Sequence, residues 1–101
     1  MSLATLAATI TARKSAAPET SWTAKLLSQG PEACARKFGE EATEAIIEAI
    51  KGDRAALTRE AADVLYHLLV LLAACDVTLQ DVEAELTRRK GTSGLAEKAA
   101  R

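Results

Sequence analysis

The stretch Glu60-Ala61-Ala62-Asp63-Val64-Leu65-Tyr66-His67-Leu68-Leu69-Val70-Leu71-Leu72-Ala73-Ala74-Cys75 decides the fold class. It contains neither Gly nor Pro, so nothing in it stops a helix. At about 100° per residue, Ala61, Ala62, Val64, Leu65 and the residues Leu68 to Leu72 cover nearly the whole helix circumference. A helix that is apolar all round must be buried all round. A chain of 101 residues makes one small domain with a lean core and can hardly surround such a helix by itself. The simplest remedy is to pack it against its copy in a second subunit, so a homodimer with a helical core is expected. The apolar run from Val64 to Cys75 is broken by Tyr66 and His67 and is too short to span a bilayer, so no membrane partner is expected.

Working outward from this helix, the flanking sequence also reads as helical, giving an all-α fold of about five helices. Asp53 caps the central helix and Gly52 ends the one before it, which starts near Pro31, a residue suited to a first helical turn. A short helix capped by Thr20 or Ser21 ends at Gly30, and Ser2 caps an N-terminal helix over residues 1–14. On the far side, Thr78 opens a helix with Asp81 early and Arg88, Arg89 and Lys90 in its last turn, as the helix dipole favours. Gly91-Thr92-Ser93-Gly94 breaks the chain, leaving a short helix or flexible tail over residues 92–101. Residues 1–101 thus form a single domain.

Composition narrows the partners. Apolar residues make up 49% and aromatics only 3%, so the core is built from Ala, Leu, Ile and Val. Thirteen basic side chains balance 14 acidic ones, which leaves no electrostatic footprint for a nucleic acid. Cys34 and Cys75 have no metal-ligand spacing and read as small buried residues in a reducing compartment. No export signal precedes them, so a cytoplasmic location is expected.

The candidate chemistry is acidic. Glu40, Glu41, Glu44 and Glu48 share one arc of the third helix, about 100° wide, beside an apolar arc of Phe38, Ala42, Ala45, Ile46 and Ala49. On the fourth, Glu60 and Asp63 lie one turn apart, with His67 a turn further on. Glu44 and Glu60 each lie eight residues from Gly52, and Glu41 and Asp63 each lie eleven. In an antiparallel hairpin about that glycine, two carboxylates therefore face two others, about 12 Å and 16 Å from the turn. Four carboxylates in a small volume need a cation, basic partners or raised pKa values. All-oxygen ligands suit a hard ion, and Mg²⁺ fits one that keeps waters for a phosphate. A di-iron site would need Glu-x-x-His pairs, which are absent. Spacing alone also fits a solvated face, with Lys37–Glu41 and Glu44–Lys51 supporting the helix.

Glu40-Glu41-x-x-Glu44 followed after fifteen residues by Glu60-x-x-Asp63 resembles the all-α nucleotide pyrophosphohydrolases of the MazG-like superfamily. Ser21-Trp22-Thr23-Ala24-Lys25-Leu26-Leu27, the segment from Asp63 to Leu69 and the tail from Arg88-Arg89 to Gly94-Leu95 make the chain similar to the phosphoribosyl-ATP pyrophosphatase family of histidine biosynthesis. Trp22 stands where that pattern has Tyr. The resemblance implies a homodimer that hydrolyses phosphoribosyl-ATP between the α and β phosphates. It implies Mg²⁺ held by Glu41, Glu44, Glu60 and Asp63, with Glu40 close by. Lys25 and Lys37 are candidate phosphate contacts, although a surface lysine and an ion pair with Glu41 explain them more simply. Ser21 and Thr23 are further candidates, His67 reads as a hydrogen-bonded core residue, and Trp22 reads as core packing. Two other functions fit the same residues, a house-cleaning pyrophosphatase for free nucleoside triphosphates and a non-catalytic helical dimerisation module.

Overall fold

Gly52 and Asp53 set the architecture. Gly52 adopts φ +78°, a left-handed conformation that glycine tolerates without Cβ strain, and closes the preceding helix. Asp53 then accepts a hydrogen bond from the Ala56 backbone N–H at 2.9 Å and starts the next. The two helices on either side, α3 (Pro31–Lys51) and α4 (Arg54–Ala74), are each 21 residues long and form a helical hairpin. The computed structural model describes residues 1–101. It adds α1 (Leu3–Ala12), α2 (Trp22–Ser28), α5 (Leu79–Arg89) and α6 (Gly94–Ala100), and contains no strand.

Capping chemistry places most of the remaining boundaries. The Ser2, Ser21, Thr78 and Ser93 hydroxyls each accept a backbone N–H at the start of α1, α2, α5 and α6. Thr78 and Asp81 complete a reciprocal capping box, with the Asp81 carboxylate accepting the Thr78 N–H at 3.0 Å. The N-terminal helix is shorter than residues 1–14, because the chain tightens into a 3-10 turn over Arg13–Ser15. At the other end the tail is helical. Glu97 of α6 is buried and accepts from Arg88 at 2.6 Å, while Arg89 and Arg101 lie 3.7 and 3.8 Å away. Arg88 and Arg89 therefore pin α6 as well as answering the helix dipole.

The core sits between α4 and the N-terminal half. Ile10, Leu26, Cys34, Leu69, Val70 and Ala73 are buried together, so α1, α2 and α3 all meet the C-terminal half of α4. A single chain does not bury the fourth helix all round, as expected for one so short: Leu65 remains 43% exposed. Two sequence expectations are corrected here. Cys75 is exposed, because it is the residue that ends α4 and so stands beyond the buried turns, whereas Cys34 is buried and donates to the Leu26 carbonyl at 3.3 Å. Trp22 is 57% exposed rather than packed in the core, since it occupies the first position of a seven-residue helix whose buried face is carried by Ala24 and Leu26.

Candidate metal centre

The hairpin brings Glu41, Glu60 and Asp63 together, with one ligand oxygen from each lying within 4.8 Å of the other two. Glu41 comes from the middle of α3, where the helix faces α4, and is buried. Glu60 is half-buried and Asp63 exposed, so the cluster opens from the hairpin interface to solvent. Glu44, expected at the height of Glu60, points into solvent and is outside the cluster, as is the exposed Glu40. Glu48 is partly buried and pairs with Lys51 at 3.5 Å, so Lys51 does not serve Glu44.

One oxygen of Glu60, Oε2, is buried and has no hydrogen-bond partner. Leaving a buried carboxylate oxygen unpaired is costly, and buried polar atoms are almost always satisfied. An orphaned oxygen beside two more carboxylates is the arrangement that a hard cation with oxygen ligands completes. The donor set therefore fits a divalent metal ion.

Around the cluster stand three groups of different character. Lys37 reaches Glu41 at 3.3 Å and Glu40 at 3.6 Å. Its hydrogen-bonding contact with Glu41 raises the ammonium pKa above the ordinary lysine value, so it remains a fixed positive charge at the rim. His67 is buried as expected, but it makes no side-chain hydrogen bond and meets the Tyr66 ring edge-on at 4.9 Å. Burial lowers its pKa, outweighing the nearby Glu41 and Asp63 charges, and keeps the imidazole neutral near pH 7. Tyr66, one turn beyond Asp63, is hydrogen-bonded to the Thr23 hydroxyl of α2. The sequence singled out Thr23 but missed Tyr66; a phenol inside a leucine run needs a polar partner, which is the signal that finds it. Lys25 lies away from the carboxylates' ion pairs, its Nζ 5.9 Å from the centroid of the Trp22 ring.

Fold and cluster together define an all-α protein with a carboxylate centre suited to a hard divalent ion. Residues 3–90, spanning α1 to α5, match the family model for phosphoribosyl-ATP pyrophosphohydrolase. The chain is 74% identical over 96 residues to a phosphoribosyl-ATP pyrophosphatase of Cereibacter sphaeroides, covering 95% of this chain and 93% of that protein. It is 75% identical over 96 residues to the Paracoccus denitrificans protein of the same name, covering 95% and 89% respectively. With the Roseobacter denitrificans phosphoribosyl-ATP pyrophosphatase the identity is 72% over 101 residues, all of this chain and 96% of the other. The chain belongs to the phosphoribosyl-ATP pyrophosphohydrolase family.

Proposed function

We propose that this chain hydrolyses phosphoribosyl-ATP to phosphoribosyl-AMP and pyrophosphate in histidine biosynthesis. The observation that carries the proposal is identity above 70%, over nearly the full length, with proteins named for this activity. The clustered carboxylates of α3 and α4 supply chemistry that suits it.

Mg²⁺ is the metal we assign, held between the antiparallel α3 and α4 by Glu41, Glu60 and Asp63, with Glu44 turning in from its exposed position to join them and Glu40 close by. When bound, such an ion neutralises phosphate oxygens and lowers the pKa of a coordinated water. The carboxylates would orient the attacking water towards the phosphoanhydride, and one of them would take its proton. The bond between the α and β phosphates breaks, and the two products each keep a phosphate terminus. We assign Lys37 and Lys25 as phosphate contacts. Lys37 keeps its charge because Glu41 holds it protonated, and Lys25 is exposed.

A homodimer acting in the cytoplasm completes the proposal. A folded chain of 10.7 kDa exposes about 5,500 Å² when compact, whereas this one exposes 6914 Å². Its radius of gyration is 15.5 Å, against about 13 Å for a compact chain of this length. The surplus is of the order of one partner's share of a standard protein interface or more. Ile46, Ile50, Leu65 and Leu86 are among the apolar side chains left open for a second copy. No single helix is long and apolar enough to cross a membrane.

Incubation with Mg²⁺ and either phosphoribosyl-ATP or free nucleoside triphosphates tests the substrate. Faster turnover of the free nucleotides would overturn the proposal in favour of a house-cleaning enzyme. Glu44→Gln with Asp63→Asn removes two charges while keeping shape. We expect loss of Mg²⁺-dependent turnover with the homodimer intact, and unchanged turnover would remove the carboxylates from the mechanism.

A further inference from the structure

The chain has three aromatic side chains, Trp22, Phe38 and Tyr66. Phe38 and Tyr66 are half-buried, and Tyr66 is engaged twice, through its hydroxyl with Thr23 and through its ring with His67. Only Trp22 presents a large open π surface. A single exposed apolar residue is ordinary on a protein surface. The position of this one is not arbitrary, because its helix is tied to the one that carries Glu60 and Asp63.

α2 packs on both α3 and α4, and the Thr23–Tyr66 hydrogen bond ties it to α4 one turn beyond Asp63. Trp22 adjoins Thr23 in sequence, so its backbone is held one residue from this tie. Its backbone is held by the cap: the Ala24 N–H donates to Ser21 Oγ at 3.1 Å, which locks the first turn of α2. Lys25, one turn on, holds its ammonium 5.9 Å from the indole centroid. A cation over an aromatic ring in this range is a favourable contact, and it sets the ammonium on one face of the indole. An open aromatic face beside a free ammonium matches the two ends of a nucleotide, a flat base and an anionic phosphate.

We infer that Trp22 is the platform on which the purine base of the substrate stacks, with Lys25 meeting the phosphates beside it. This rests on the reading that the substrate is an adenine nucleotide, and it names the group that reads the base, which the carboxylates cannot do. Stacking on an aromatic is tolerant of base identity and strong enough to show in KM.

The test uses the full-length protein with Mg²⁺. Trp22 is the sole tryptophan, so intrinsic fluorescence reports on this residue alone. Titration with adenosine 5′-monophosphate is expected to quench it saturably, and ribose 5-phosphate, which lacks the base, is expected not to. In steady-state assays with phosphoribosyl-ATP, Trp22→Leu keeps apolar bulk but removes the π face. It is expected to raise KM by about 5- to 150-fold with kcat nearly unchanged. Trp22→Tyr restores most of the loss. Emission that is blue-shifted and indifferent to the nucleotide would mean that a second copy covers the indole, and would overturn the inference. A Trp22→Leu enzyme with wild-type KM would overturn it too. Failure of the wild type to turn over phosphoribosyl-ATP would strike the proposed function instead, since the nucleotide titration reads stacking without turnover.

Discussion

Glu60→Gln separates a metal centre from a merely acidic surface, because the two readings predict opposite signs. The substitution keeps side-chain size and removes one charge from three carboxylates whose ligand oxygens lie within 4.8 Å of one another. At 4.8 Å a pair of unit charges repels by about 3.5 kcal/mol at an effective dielectric of 20 and by about 1 kcal/mol in bulk water. Glu60 takes part in two such pairs, one with buried Glu41 and one with exposed Asp63. Lys37, 3.3 Å from Glu41, already offsets part of the repulsion. A net gain of about 2 kcal/mol for the metal-free variant follows, which raises the melting temperature by about 10 °C in a domain of this size. With Mg²⁺ the order reverses. At a hundred times its dissociation constant the ion stabilises the wild type by about 2.7 kcal/mol, and the variant, lacking one ligand, gains far less. Thermal unfolding by circular dichroism, with EDTA and then with rising Mg²⁺ at fixed protein concentration, reads both effects without any turnover. A variant that melts below the wild type in EDTA, or one that keeps the full Mg²⁺ response, refutes the reasoning.

Three further outcomes are expected. Ile10 is 1% exposed and carries α1 into the core, so Ile10→Ala should cost about 2 to 4 kcal/mol in denaturant unfolding, and a loss under 1 kcal/mol would show that α1 contributes little to the fold. Glu85 is held down to about 2 by hydrogen bonds from Arg88 and then Arg89, so it stabilises the fold above its ordinary pKa near 4.5 and loses that contribution as pH falls towards 2. Glu85→Gln should therefore flatten the acid limb of the stability profile between pH 4.5 and 2 and leave the slope above pH 6 unchanged; a parallel shift of the whole curve would contradict this. Glu41 lies inside the cluster and Glu44 outside it, so calorimetric titration with Mg²⁺ should show a larger loss of affinity for Glu41→Gln than for Glu44→Gln, and the reverse order would mean that the outer carboxylate is the principal ligand.

What the sequence revealed divides along physical lines. Capping residues act locally, so Ser2, Ser21, Asp53 and Thr78 marked helix starts that the structure shares. The counting argument about Gly52 also relies on local geometry, and it placed Glu41, Glu60 and Asp63 at mutual reach. Trp22 and Cys75 failed for the opposite reason. Hydrophobicity says that a side chain prefers burial, but whether a neighbour is present to bury it depends on the tertiary arrangement. Trp22 starts a short helix whose inner face is filled by smaller residues, and Cys75 follows the last packed turn of α4. The anchoring of α6 was equally hidden, because Glu97 meets Arg88 only once the Gly91–Ser93 link has folded the chain back.

Glu44 shows where a height argument stops. Equal distance from the turn fixes how far along the hairpin two residues sit, but the angle about each helix axis decides whether they face each other. Glu41 and Glu48 are seven residues apart and differ by about 20°, and their side chains are 10% and 19% exposed. Glu44 lies about 60° from Glu41 and is exposed. The inward stripe of α3 is thus Glu41 and Glu48, with Glu44 on its flank. On α4 the orphaned Oε2 of Glu60 identifies the inward member of the pair, while Asp63 reaches the same space from the solvent side. One buried and one half-buried carboxylate facing an exposed one form a site closed on the hairpin side and open on the other. A divalent ion held there would have its ligands on the hairpin side, and water and phosphate would reach it from the open one, as the proposed hydrolysis of a phosphoanhydride requires.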